Sequence, residues 1–244
     1  MTSVLTLALL SLAAADVPAP ATPDPQTESL RNASAAELVA RGRAALADLG
    51  SYRVRSTIEE RIKGKLQEPQ TLQMWIREDP FAVRVEYLTG HSQGRKIFYD
   101  AQTRPGDLRV KESGFLGIAG AVWISTKSSL VYGDTNHAIT DVGLGAILRI
   151  QSGDIEKAKA FGGYKRTDLG LNERGRYCIQ YDAPPSATGL YATRSLLCLD
   201  PATALPLEVT DWDQKGLLER FIFRALEPHA AEGAQVFTAK AAGL

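Results

Sequence analysis

The chain has 244 residues, enough for one sizeable hydrophobic core, and its 28 basic and 28 acidic side chains give a formal charge of zero. The absence of a sustained basic run argues against a nucleic-acid partner held by phosphate neutralisation. No later apolar segment reaches the roughly 20 residues of a membrane-spanning helix.

Val4–Ala14 is an uncharged apolar run followed by Ala15 and a Pro/Ala/Thr-rich stretch. Its length and flank predict a signal peptide over residues 1–15, although no Lys or Arg precedes the run. Export is therefore expected, to the periplasm or an equivalent compartment, with a soluble mature chain. Residues 16–33 carry four prolines between Pro18 and Asn32 and little to bury, and read as a flexible linker. Residues 34–240 read as one domain.

Ser34 and Glu37 form a capping-box pattern, Leu38, Ala45 and Leu49 follow on one face, and Gly50 suits the helix end. Period-two strands come next. Tyr52, Val54, Ile58, Glu60 and Ile62 alternate with Arg53, Arg55 and Glu59. Leu72, Met74 and Ile76 form a second such set, and Phe81, Val83, Val85 and Tyr87 a third. Ile97 with Tyr99 and Leu108 with Val110 continue the meander. A short strand fits Ala121–Ser125.

A second helix is predicted over Asp141–Ala160, capped by Thr140 or Asp141, with Leu144, Ile147, Leu148, Ile155 and Ala158 on one side. The alternation then returns around Tyr177–Tyr181, Tyr191–Leu199, Leu207–Val209 and Leu217–Leu226, and the Ala/Gly-rich tail beyond Pro228 reads as weakly structured. Eight or nine strands and two helices predict a mainly β protein. The expected architecture is a single curved antiparallel sheet whose apolar concave face is covered by helices; a two-sheet sandwich is the alternative.

Four stretches resemble the LolA/LolB-like lipoprotein-carrier superfamily of the bacterial envelope, and within it the domain of unknown function 1571. They are Tyr52 with Glu59, Glu60 and Gly64–Leu66; Trp75–Val83; Gly94–Tyr99; and Cys198–Pro201 with Leu205–Val209. The resemblance spans about residues 45–226. It implies an open β half-barrel closed by helices over an apolar cavity, in proteins that hold acyl chains without altering them. The cysteine pair and the long N-terminal extension depart from the pattern, and no catalytic residue carries over.

Cys178 and Cys198 lie on consecutive predicted strands and face each other if the hairpin centre is near residue 188, which predicts a structural disulfide in an exported chain. Two reduced, buried thiols are the alternative. His91, His137 and His229 have no His, Asp or Glu neighbour at metal-ligand spacing, so neither a metal nor a cofactor is expected. Nucleophile-elbow, P-loop and dinucleotide motifs are missing. Glu59 and Glu60 fall on opposite strand faces, whereas Asp211 and Asp213 share one and flank Trp212. Glu60 faces the concave side and is read as a rim residue or as a polar anchor paired with Arg84 or Arg95.

The expected function is a monomeric, non-enzymatic carrier of a lipid or acyl-chain ligand, working with an envelope lipoprotein or a membrane-anchored partner. Its contact residues are read as Val54, Ile58, Glu60, Leu72, Met74, Val83, Val85, Tyr87, Ile97, Leu144, Ile147 and Leu148. An envelope scaffold with the same fold and a filled core is the alternative.

Overall fold

A computed structural model describes residues 25–114, 117, 120–128, 135–228 and 234–244. The signal-peptide region and the first part of the linker lie outside the described residues.

Helix α1 (Pro25–Asn32) corrects the second part of the linker. Proline suits a first helical turn because its missing N–H has no intrahelical acceptor. Leu30 is buried against the Tyr177–Ile179 region, and the Arg166 guanidinium donates to the Leu30 and Ala33 carbonyls. One leucine in a Pro-rich stretch gives no periodicity, so this docking left no signal in the sequence.

Helix α2 (Ala35–Leu49) begins with the expected box: the Glu37 amide donates to Ser34 Oγ at 3.3 Å and the Ser34 amide to Glu37 Oε2 at 2.7 Å. Strand β1 (Ser51–Ile62) and the two-residue β2 (Lys65–Leu66) follow. A meander continues through β3 (Gln70–Arg77), β4 (Ala82–Tyr87), β5 (Lys96–Asp100), β6 (Asp107–Lys111) and β7 (Val122–Ser125). After a short 3-10 turn at Ile139–Asp141 comes helix α3 (Leu144–Lys159). A second meander follows: β8 (Lys165–Leu171), β9 (Tyr177–Asp182), β10 (Arg194–Leu199), β11 (Pro206–Asp213) and β12 (Gly216–Pro228).

Among the described residues, twelve strands form one antiparallel sheet, in the order β7-β6-β5-β4-β3-β1-β12-β11-β10-β9-β8, with β2 paired to β1. The two meanders meet where β1 pairs with β12, and β7 and β8 are separate edges, so the sheet is open. This is the expected fold with more strands than the eight or nine read from sequence. The sequence reading passed over β2, which is very short, and β8, whose Lys165–Leu171 run shows no alternation.

Helices α1 and α2 cover the inner face of β9–β11 around Tyr177, Ile179, Leu197 and Val209. Helix α3 starts beside Tyr52 of β1 and Glu78 after β3, and its body runs over β11. Gly42 lets α2 approach α3: a Cβ there would stand 2.9 Å from Leu148 Cδ2 and 3.0 Å from the Ala204 carbonyl. The tail, expected to be weakly structured, instead places Val236, Phe237 and Ala242 on the outer face against Ala82 and Phe98, where Arg77 lies over the Phe237 ring. Cys178 and Cys198 are cross-strand partners and form the expected disulfide.

Helix α3 is shorter than the predicted Asp141–Ala160. Thr140 and Asp141 belong to the turn before it, and its first residue is preceded by Gly143, whose φ of 95° is in the left-handed region. The sheet supplies the cap. Leu144 N–H donates to the Tyr52 hydroxyl at 2.9 Å, and that hydroxyl donates to Glu78 Oε1 at 2.7 Å. Tyr52 is buried and Glu78 half-buried, and burial raises the pKa of the Tyr52 phenol and of the Glu78 carboxyl. The start of α3 is thereby pinned to one end of β1 and β3.

Candidate functional site

Strand register arranges the inner-face side chains in rows. Tyr52, Ile76, Val83 and Tyr99 are successive cross-strand partners, as are Val54, Met74, Val85, Ile97 and Val110, and then Ser56, Leu72 and Tyr87. The α3 start seals the first row, where Tyr52, Ile76 and Val83 are fully buried. Beyond it the helix stands off the sheet and leaves a hollow of about 660 Å³, within the roughly 300–1,000 Å³ range of small-molecule sites. Met74, Val85, Ile97, Leu108 and Val110 form its floor, with Val209, Phe221 and Phe223 on the β11–β12 side and Ile147, Ile150 and Gln151 in the roof.

Eight of the residues read as contacts line this hollow: Ile58, Glu60, Leu72, Met74, Val85, Tyr87, Ile97 and Ile147. Four do not, and their assignment is corrected. Val54, Val83, Leu144 and Leu148 belong to the packed core between α3 and the sheet. Alternation gave them the right face, but position along the strand decides whether a side chain meets the helix or the hollow. The Tyr52–Glu78 cap helps to set that position at the helix start.

One end of the hollow is acidic. Glu60 on β1 is the cross-strand partner of Glu219 on β12, which is the partner of Asp211 on β11, whose next partner is Ser195 on β10. The three carboxyl residues are at most 4% exposed. Thr135 Oγ1 and the Asn136 amide both donate to Glu60 Oε1 at 3.0 Å. His137 Nε2 lies 2.7 Å and the Tyr191 hydroxyl 2.6 Å from Glu219 Oε2, and Ser195 donates to Asp211 Oδ1. Burial and the neighbouring Glu219 charge push the Asp211 carboxyl up to about 7, and burial raises Glu60. Burial opposes the His137 imidazolium, but the hydrogen bond and charge of Glu219 prevail and hold it above the ordinary histidine value.

The anchor pairing expected for Glu60 is corrected. Arg84 is bonded to Glu86 and stacks on Trp75, and Arg95 is bonded to Glu112. The Asp211/Asp213 pairing also fails. The β11–β12 register shifts by one residue on β12, where Asp211 faces Glu219 and Trp212 faces Leu217; Asp211 lines the hollow, whereas Asp213 is bonded to Arg61. Long-range strand pairing brings together ligand types that are far apart along the chain: donor atoms of Glu60, His137 and Glu219 lie within 4.8 Å of one another, contrary to the expectation from spacing. Tyr191 was placed in a strand and Thr135 in no element, yet both bond the row from loops. Chain spacing gives no signal for residues 60, 137, 191, 211 and 219 converging.

Residues 49–240 match the family described as "Protein of unknown function (DUF1571)". The chain belongs to this family. All the strand residues that line the hollow fall inside the matched span. No curated protein matches the sequence. Among solved structures, the chain is similar to a LolA superfamily protein from Nitrosomonas europaea, at 11% identity and a TM-score of 0.38, covering 86% of this chain and 99% of that one. It is similar to the Mycobacterium tuberculosis lipoprotein LppX at 12% identity and a TM-score of 0.44, covering 79% and 96%. A third likeness is to a chain of the Pseudomonas aeruginosa MucA/MucB complex, at 20% identity and a TM-score of 0.47, covering 86% of this chain and 62% of that one. No helix among the described residues is long and apolar enough to cross a membrane.

Proposed function

We propose that this DUF1571 chain is an exported, non-enzymatic carrier or binding protein for a lipid, an acylated protein or another apolar ligand. The observation that carries the reading is the hollow itself: about 660 Å³ between the inner face and α3, walled mainly by aliphatic and aromatic side chains. A scaffold would be expected to fill that space with side chains. The apolar run at Val4–Ala14 supports export. At about 0.8 kcal/mol per buried CH₂, a 14-carbon chain offers roughly 11 kcal/mol before ordering costs. No bond needs to be made, and handover to a partner would empty the site.

Val85→Trp tests the reading. Val85 is 4% exposed, lies between Met74 and Ile97 in its row, and faces the hollow. A filled core resists added volume at a strain of roughly 1–3 kcal/mol, whereas a ligand cavity accepts the ring and loses capacity. The expected result is an unchanged melting temperature with reduced uptake of a neutral acyl-chain probe. A fall in melting temperature in a protein that never bound the probe would favour the scaffold.

A further inference from the structure

Glu60, Glu219 and Asp211 stand directly opposite one another on three adjacent strands, on the face that lines the hollow. Like charges in direct cross-strand opposition destabilise a sheet, and here the charges are also buried. His137 is the one basic group that these carboxylates contact among the described residues. Two other bases line the hollow: Arg95 is bonded to Glu112, and Lys63 is exposed in the turn after β1.

The hydrogen bonds to the row are one-sided. Glu60 accepts on Oε1, Glu219 on Oε2 and Asp211 on Oδ1, and among the described residues nothing donates to the second oxygen of any of the three. None of these second oxygens is both sealed from solvent and without a partner. The next row, Ile58, Phe221 and Val209, is apolar and continues into the hollow. A row of buried carboxyl groups with one basic contact among the described residues thus sits at the end of an apolar channel.

We propose that the row seats a primary ammonium group, so that the ligand is an amphiphile with an amine head at Glu60, Glu219 and Asp211 and its chain along the hollow. The inference rests on reading the hollow as an apolar-ligand site and names the ligand's head group. An ammonium carries three N–H donors that these carboxyl groups can accept, and its positive charge offsets part of the row's negative charge. A carboxylate or phosphate head would bring a further negative charge to buried acids.

The test is competition at about pH 7.5. Full-chain protein stripped of lipid is loaded with the neutral reporter N-phenylnaphthylamine, and tetradecylamine, tetradecanol and tetradecanoate are titrated below their aggregation concentrations. One retained charge-assisted contact predicts displacement by the amine at a concentration about tenfold lower than by the alcohol, with the carboxylate weakest. In Glu60→Gln/Glu219→Gln the amine should lose that advantage while tetradecanol is unchanged. Asp211→Asn serves as a second variant if the double change does not fold. Equal competition by all three, or preference for the carboxylate, overturns the proposal. Displacement of the amine by micromolar Zn²⁺ or Mg²⁺ in wild type also overturns it, by assigning the row to a metal ion. If the reporter itself never binds, the hollow reading fails instead, a distinguishable result.

Discussion

Asp211→Asn is expected to make the protein more stable at pH 8, and the gain should vanish as the pH falls towards 4. The folded-state carboxyl titrates near 7 against an ordinary value of 3.8, because it is buried beside Glu219. A group whose folded pKa is raised binds its proton more tightly in the native state. Stability is therefore greatest at low pH and declines as the pH rises through the interval from about 4 to about 7. At about 1.4 kcal/mol per pK unit, the decline reaches as much as about 4 kcal/mol. His137 acts in the same direction: its raised pKa contributes stability below the ordinary histidine value that is lost as the pH rises through the folded one. Glu219, Asp154 and His137 are the charged groups acting on Asp211, and the Ser195 bond can be made to an amide oxygen as well as to a carboxylate. Urea unfolding of both proteins at pH 5 and pH 8 decides the matter. A variant less stable than wild type at pH 8 would show that the charge supports the fold. A variant that gains stability there would mark the row as costly to the fold and kept for another reason.

Gly143→Ala is expected to destabilise the protein by about 3 kcal/mol or more, from left-handed backbone strain added to overpacking. Gly143 has φ 95°, and a Cβ on it would stand 2.7 Å from Ile76 Cδ1 and 2.8 Å from the Tyr52 hydroxyl oxygen. Relief requires α3 to lift, which breaks the Leu144–Tyr52 bond and the link to Glu78. Because that cap sets where the helix leaves the sheet, the hollow should lose its roof and probe uptake should fall as well. Gly153→Ala on the same helix is the control. Its Cβ would meet nothing within 4 Å, so the change should stabilise by up to about 1 kcal/mol through helix propensity alone. Denaturant melts that ranked the two variants together, or Gly143→Ala at wild-type stability, would contradict the account of the α3 anchor.

Much of the fold was legible because its signals are local. Alternation marks β1, β3 and β4, Ser34 and Glu37 mark the start of α2, and the 20-residue separation of Cys178 and Cys198 matches a hairpin register that the structure shows. The site was legible in part. Period two tells which face Ile58, Met74, Val85 and Ile97 occupy, but it does not tell where along the sheet a helix will sit. The pattern therefore puts Val54 and Val83 in the hollow, although both belong to the packed core. The acidic row was hidden more deeply. It depends on β1 meeting β12, the first and last long strands. Of its loop partners, Thr135 and His137 lie in segments without periodicity, and Tyr191 sits just ahead of β10 in a stretch whose alternation reads as strand. The outer-face packing of Phe237 was missed because Ala and Gly dominate the tail and conceal a few anchoring side chains.

The central claim is that the space between α3 and the sheet binds apolar ligands, and direct titration of lipid-stripped wild-type protein tests it best. Neutral acyl-chain probes of several chain lengths should bind saturably, one per molecule. Affinity should rise with chain length by about 0.8 kcal/mol for each added CH₂ that is buried, then level off once the hollow of about 660 Å³ is full. Absence of saturable binding at every chain length would contradict the account.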